Sequence, residues 1–193
     1  MKKITSIVLA IALCLSLTLI FTSCSLFKHP IEKVLDEMEE ENNYAMTVTM
    51  SDIPFLGTMK MTTKVDGNVQ YTPAILTEPE SYIEFFDDYQ YVYTKTDDGS
   101  WTKSKEALDD ESDALGDYEE LLDPKNYEKV KGEKKTYKQK DDVEFDDFED
   151  VVIEITDDGL IIKASMETDG ITCDVKIEIS DIGEVELTLP KTK

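Results

Sequence analysis

Apolar and polar residues alternate one by one through the last third of the chain, and this periodicity constrains the fold more than any other feature. In the first run Val151, Ile153 and Ile155 share one side, and Asp157-Asp158-Gly159 ends the run. A period of two predicts half-buried β-strands, because successive side chains of a strand point to opposite faces of a sheet. The next three runs predict an antiparallel meander with a single dry face. Their apolar residues are Leu160, Ile162, Ala164 and Met166, then Cys173, Val175, Ile177 and Ile179, then Val185, Leu187 and Leu189.

The first half of the chain shows the same period after one helix. In PIEKVLDEMEEENN, apolar residues recur at helical spacing and predict a helix that begins at Pro30 and ends near Asn42-Asn43. Strands follow in YAMTVTM and TMKMTTKV, and then in SYIEFF, YQYVYTK and SWTKSK, with turn signals such as Asp66-Gly67 between them.

The middle of the chain is polar and acidic. Leu115, Tyr118, Leu121 and Leu122 recur at helical spacing and predict a helix near 114–122, which Asp123-Pro124 would end. We expect a helical turn over 127–130, a strand in TYKQK and a charged connection in DDVEFDDFED. The sheet must cover its dry face, either by curling or by packing these helices on it.

The amino terminus has the pattern of a secretory signal peptide. Lys2-Lys3 precede an uncharged apolar run that ends at Phe21. Thr22-Ser23-Cys24 resembles the lipobox of bacterial lipoproteins, although Phe21 stands where that family usually has Leu. We therefore expect residues 1–23 to be removed, Cys24 to carry a diacylglyceryl anchor, and residues 24–29 to form a tether at the outer face of the cytoplasmic membrane. A membrane-spanning helix is the alternative interpretation.

The charge balance excludes several classes of partner. The chain has 20 basic and 43 acidic residues, a net charge of −23, and every basic residue is lysine. This balance argues against binding nucleic acid or an anionic membrane face by charge. We interpret the acidic surface as one that keeps an exported domain dissolved and monomeric, with a cationic partner as the alternative. The lysine-rich, arginine-free composition favours a Gram-positive source.

The sequence offers little for catalysis. Once Cys14 leaves with the signal peptide and Cys24 is acylated, Cys173 has no disulfide partner, and we expect it to be a small buried residue. The single histidine, His29, lies in the tether, so a Cys–His pair is not expected. DDVEFDDFED lacks the glycine and spacing of a calcium loop. We expect no enzyme activity, no metal and no cofactor.

The closing stretch SDIGEVELTLP, residues 180–190, completes a resemblance to the lipoprotein-carrier group typified by LolA and LppX. The shared features are a helix after the anchor, a strand meander with a Trp-bearing hairpin, a helical insertion and a final meander. The resemblance covers roughly residues 30–190 of a domain that we expect to span 30–193. Ile182 stands where an aromatic residue is more usual. The resemblance implies one α+β domain, an open half-barrel in which the N-terminal helix and the helical insertion lie against the concave face of a strongly curved antiparallel sheet. It also implies that this face binds or transfers a lipid or another apolar ligand.

Methionines on adjacent strands are the residues that favour a ligand site. Thioether side chains are flexible and polarisable, so they adapt to disordered apolar ligands. The alternative is that these side chains fill a solid core, which would make the protein a non-enzymatic surface interaction module without a ligand. The candidate lining residues are Met46, Val48, Met50, Met59 and Met61, with Phe85, Tyr91 and Tyr93 as aromatic neighbours.

Overall fold

The computed structural model describes residues 28–53, 57–76, 78–107, 119–146, 148–168 and 171–192. Cys24, Leu115 and Tyr118 lie outside these residues. Among the described residues, the helices are α1 (Pro30–Glu41) and α2 (Glu119–Leu122), and a 3-10 turn covers Pro124–Asn126. The strands are β1 (Asn43–Ile53), β2 (Gly57–Asp66), β3 (Val69–Thr72), β4 (Ser81–Phe85), β5 (Tyr89–Lys95), β6 (Trp101–Ala107), β7 (Tyr127–Lys129), β8 (Thr136–Gln139), β9 (Phe148–Ile155), β10 (Leu160–Thr168) and β11 (Ile171–Ser180).

The described strands form one antiparallel sheet in the order β6-β5-β4-β3-β2-β1-β11-β10-β9-β8-β7. Strands that follow one another in the chain are neighbours, except β6 and β7. In addition β1 pairs with β11, so that Met46 lies opposite Ile179 and Val48 lies opposite Ile177. Two meanders, β1–β6 and β7–β11, therefore meet at the β1–β11 pair, and β6 and β7 are the edges of the sheet.

The expected fold class, an α+β half-barrel with a helical insertion, is wrong. In the part of the chain that the structure describes, strands make up 55% and helix only 12%, so the fold is dominated by its sheet. Within the described residues, the insertion contributes only the short helix α2, which ends just before Asp123-Pro124. The helical turn expected over 127–130 is also wrong, since Tyr127–Lys129 pairs with Tyr137–Gln139. Backbone pairing with β8 satisfies the hydrogen bonds that a helical turn would otherwise have made.

Helix α1 begins where the sequence predicts. His29 is its N-cap: the Nδ1 atom accepts a hydrogen bond from the backbone N–H of Ile31 at 3.3 Å, and the Glu32 carboxylate accepts one from the His29 N–H at 2.9 Å. Pro30 occupies the first turn, where its missing N–H costs nothing. Asn42 ends the helix in the left-handed conformation, and its N–H donates to the Met38 carbonyl at 2.8 Å.

The core lies between α1 and one face of the sheet, which we call the apolar face; the other is the polar face. Strand register aligns one row of residues on the apolar face, namely Tyr137, Ile153, Ile162, Ile177 and Val48. Ile31, Val34 and Met38 of α1 belong to the same core cluster. Its largest fully buried side chains are Ile31, Val151, Ile153, Leu160 and Ile179. The part of the apolar face that packs against α1 is therefore filled.

The last predicted strand, with Val185, Leu187 and Leu189, is not a strand, and this prediction is wrong. Two polar side chains at the β1–β2 end hold the segment instead. The amide of Asn43 donates to the Val185 carbonyl at 2.7 Å and accepts from the Val185 N–H at 2.7 Å. The Asp66 carboxylate accepts from the Leu187 N–H at 2.9 Å. These hydrogen bonds take the place of those that a neighbouring strand would make. The segment therefore has the alternating sequence of a strand without pairing as one.

Candidate functional site

Five of the candidate lining residues lie together on the apolar face, and we call them the methionine patch. They are Met46, Val48 and Met50 of β1 with Met59 and Met61 of β2. Val48 lies directly opposite Met61, and Met50 directly opposite Met59. Side chains that are directly opposite in an antiparallel pair contact one another, so the patch is one continuous apolar surface.

Burial decreases along the row that leads from the core to the patch. Tyr137, Ile153, Ile162 and Ile177 are between 0% and 4% exposed, whereas Val48 and Met61, next in the same row, are only partly buried. Met46, Val48 and Met50 pack against the core cluster, although they do not belong to its buried set. The apolar surface thus continues from the core onto β1 and β2, where it is less completely covered.

The three aromatic candidates are divided between the two faces. Phe85 lies on the apolar face, because it shares a face with Ile83, two residues before it in the same strand. Ile83 pairs with Gln70, and Gln70 pairs with Val65 on the apolar face of β2. Tyr93 pairs with Tyr82, and Tyr91 pairs with Glu84, so both lie on the polar face. The structure therefore brings Phe85 to the same face as the methionines and does not bring Tyr91 or Tyr93 there.

Tyr93 belongs instead to an in-register row that we call the tyrosine row. The row crosses five adjacent strands of the polar face: Lys64 on β2, Tyr71 on β3, Tyr82 on β4, Tyr93 on β5 and Lys103 on β6. Three aromatic side chains thus stand side by side with a lysine at each end.

Contacts between neighbouring strands hold the tyrosine row in place. The ring centroids of Tyr71 and Tyr82 are 4.9 Å apart. The Tyr93 hydroxyl donates to Glu84 at 2.9 Å and accepts from the Lys103 ammonium at 2.8 Å. This hydrogen bond raises the pKa of Lys103, and the same ammonium lies 3.5 Å from the centroid of the Tyr91 ring. Lys103 therefore stays charged above an aromatic surface.

Two surface grooves lie away from the methionine patch. One, of about 600 Å³, is lined by residues of the β8–β9 connection, among them Lys138, Asp141, Phe145 and Glu149. The other, of about 350 Å³, lies beside Ser51, Lys163, Asp174 and Lys176. Their linings are rich in charged side chains, which makes them poor places for an apolar ligand.

The groups considered for catalysis are not arranged as a reactive site. Cys173 is a free thiol, buried at 6% exposure in the core of β11. His29 caps α1, and its ring lies 4.7 Å from that of Tyr137. In the part of the chain that the structure describes, no group of three or more potential ligands is placed to hold a metal ion.

Comparisons with known proteins assign no family. No protein-family model matches this chain, and a search of curated proteins finds no significant match. Within the described ranges, no helix is both long and apolar enough to cross a bilayer.

The tyrosine row is the feature that sequence reasoning missed. The alternation of tyrosines in YQYVYTK and of lysines in SWTKSK is visible in the sequence. A shared row, however, requires the register of four strand pairs, which depends on hairpin geometry as well as on periodicity.

Proposed function

We propose that the protein is a lipoprotein, anchored through Cys24 to the outer face of the bacterial cytoplasmic membrane, whose methionine patch binds a lipid or another apolar ligand. It acts as a binding or transfer protein and not as an enzyme. The observation that carries this proposal is the decrease in burial from Ile177, 3% exposed, to the partly buried Val48 and Met61 in the same row.

The composition of the patch supports the choice of an apolar ligand. Four of its five side chains are methionines, which have three rotatable bonds and make dispersion contacts in many arrangements. Such side chains suit an acyl chain, which has no fixed shape. Each methionine is already partly buried, so its complete burial by a ligand would contribute less than the roughly 1.5–3 kcal/mol of a fully exposed side chain.

The second candidate is a surface interaction module without a ligand. The complete burial of Ile31, Ile153 and Leu160 favours it, because the interior next to α1 is filled. The two candidates differ at the methionine patch. A carrier binds apolar molecules there, and a module with a solid core does not.

A pair of adjacent substitutions on β2 tests the patch. We expect Met61→Gln to weaken binding of a fluorescent fatty acid about tenfold, because it places an amide against the acyl chain. The matched control is Lys60→Gln, since residue 60 lies on the polar face of the same strand. The measurement is a fluorescence titration of the mature chain purified with Cys24→Ser, so that no attached lipid competes.

Unchanged affinity on Lys60→Gln together with the loss on Met61→Gln would support the carrier. If the fatty acid does not bind the unsubstituted patch, or if both variants bind it equally, the interaction module is the better account. Urea unfolding of both variants checks that neither loses its fold.

The anchor has a separate test. We expect Cys24→Ser to release the protein from the membrane fraction or to leave an uncut precursor, because the sulfur is the atom that takes the lipid. Immunoblots of membrane and soluble fractions measure this, with Cys173→Ser as a control that removes the other thiol of the mature chain. A normally processed Cys24→Ser product that stays on the membrane would contradict the anchor.

A further inference from the structure

The tyrosine row lies on the opposite face from the methionine patch and is independent of the function proposed for that patch. Neighbouring strands are about 4.8 Å apart, so the four intervals from Lys64 to Lys103 span roughly 19 Å. Tyr71, Tyr82 and Tyr93 stand between these two lysines in register. The row is a straight strip of aromatic side chains with a positive charge at each end.

Most of the strip is accessible. Lys64 and Lys103 are exposed, and Tyr71 and Tyr82 are partly exposed. Tyr93 is buried at 6% exposure, and it supports the strip through its hydrogen bonds to Glu84 and Lys103. The buried residues of α1 belong to the core on the other face. The C-terminal segment borders the row on one side. There the backbone N–H of Leu187 donates a hydrogen bond to the carboxylate of Asp66, two residues from Lys64. On the other side the Trp101 ring packs against Tyr82, with 5.4 Å between centroids.

Lysines outnumber carboxylates on this part of the polar face, although Lys95 is paired with Glu80 at 2.7 Å and Glu84 lies beside Tyr93. The chain has a net charge of −23, yet Lys64, Lys95, Lys103 and Lys105 gather on the polar face of β2, β5 and β6. Lys105 lies 3.6 Å from the centroid of the Tyr89 ring. An ammonium group has three donors, so its contact with one aromatic neighbour leaves donors for a ligand.

Protection of the sheet edge explains only part of this arrangement. Lysines on edge strands prevent edge-to-edge aggregation, which accounts for Lys103 and Lys105 on β6. It does not account for Lys64, which lies on an inner strand. Nor does it account for three tyrosines that stand in register across β3, β4 and β5.

We propose that the tyrosine row binds an extended acidic polysaccharide. Sugar rings present C–H faces that pack against aromatic side chains, and here the partly exposed rings are those of Tyr71 and Tyr82. Tyrosine gives a large amphipathic contact area at low conformational cost. Carboxylates along such a polymer would meet Lys64 and Lys103 at the two ends, and complementary charge fixes its register.

A membrane surface and a simple polyanion fit the row less well. Leu76, 76% exposed, is the exposed large apolar side chain among the described residues, and it lies in the β3–β4 connection next to the acidic Glu78 and Glu80. This face thus offers little apolar surface to insert into a bilayer. A polyanion without sugar rings would leave the aromatic side chains without a partner.

Isothermal titration calorimetry with polygalacturonate tests the proposal, using the mature chain with Cys24→Ser. Neutral dextran, polyglutamate and vesicles of phosphatidylglycerol are the comparison ligands. We expect polygalacturonate to bind more tightly than any of the three. Lys103→Gln and Tyr82→Ala should each weaken its binding about threefold to tenfold. The matched control is Lys163→Gln, which removes an equal charge from the polar face of β10, where Lys163 pairs with Glu154 at 2.7 Å.

Loss of affinity on Lys103→Gln with none on Lys163→Gln would support the row as the site. The proposal is overturned if polygalacturonate does not bind, if the two lysine variants bind equally, or if polyglutamate, dextran or the vesicles bind as tightly. Lys103 is exposed, so its variant should fold normally even if Tyr82→Ala does not. A failure here leaves the fatty-acid titration of the methionine patch unaffected.

Discussion

At the scale of single residues, His29 fixes the start of α1 through its uncharged ring. Its Nδ1 atom accepts the N–H of Ile31, and a protonated Nδ1 has no lone pair for that bond. Burial lowers the pKa of His29 from its ordinary value of 6.5, although Glu32 acts in the opposite direction. The fold therefore favours neutral His29, and the unfolded chain takes up its proton first as the pH falls.

The lowered pKa of His29 makes the stability of the fold depend on pH. Stability contributed by neutral His29 is present above pH 6.5 and decreases as the pH falls below it. His29→Ser keeps a good N-cap without a titrating group, so we expect this variant to lose less stability than the natural chain between about pH 7.5 and about pH 5.5. Urea unfolding at the two pH values measures the difference. Equal losses in both proteins would contradict the role of His29.

At the scale of elements, the β9–β10 hairpin depends on the absence of a side chain at Gly159. This residue has φ +148°, and a Cβ placed on it would lie 2.1 Å from the Ile179 carbonyl oxygen of β11. Gly99, in the β5–β6 turn, has φ +79° and no atom within 4 Å of such a Cβ. Both glycines have a positive φ that strains an L residue, and Gly159 combines this strain with a collision.

We expect Gly99→Ala to cost about 1–2 kcal/mol of unfolding free energy, from its positive φ alone. Gly159→Ala adds a backbone collision and should cost roughly 3–5 kcal/mol. Urea unfolding of the two variants makes the comparison. If the two losses are equal, β11 does not pack over the hairpin in the way described.

Sequence periodicity predicted an element correctly where the tertiary contacts of that element favour the same structure as its local pattern. The helix that begins at Pro30 and the strand in TYKQK, β8 (Thr136–Gln139), are confirmed for this reason. It failed at Val185–Leu189, because Asn43 and Asp66 bind the backbone of that segment more than a hundred residues away in sequence. No local pattern reports such a contact.

The candidate site was predictable in the same uneven way. Alternation alone brings Met46, Val48 and Met50 onto one face, and the next strand repeats the pattern with Met59 and Met61. The sequence could not tell whether Phe85, Tyr91 and Tyr93 share a face of the sheet with the methionines of β1. Several strand pairs lie between them, and the register of each pair must be known.

At the scale of the whole molecule, the two meanders are joined through strands from opposite ends of the domain. β1 and β11 pair from Ala45 opposite Ser180 to Ser51 opposite Asp174, so the centre of the sheet forms only when the domain is complete. The core lies on β1 and β7–β11 together with α1, while β3–β6 contribute mainly partly exposed residues. This division separates the methionine patch, next to the core, from the tyrosine row on the opposite face.

Native mass spectrometry of the protein extracted from its own membrane is the decisive test of a ligand at the methionine patch. We expect a lipid or other apolar molecule bound without covalent linkage, in addition to the acyl group on Cys24, and we expect Met50→Gln combined with Met61→Gln to remove it. A spectrum that contains only the acylated chain, for the natural protein as for the double variant, would contradict a ligand at the methionine patch.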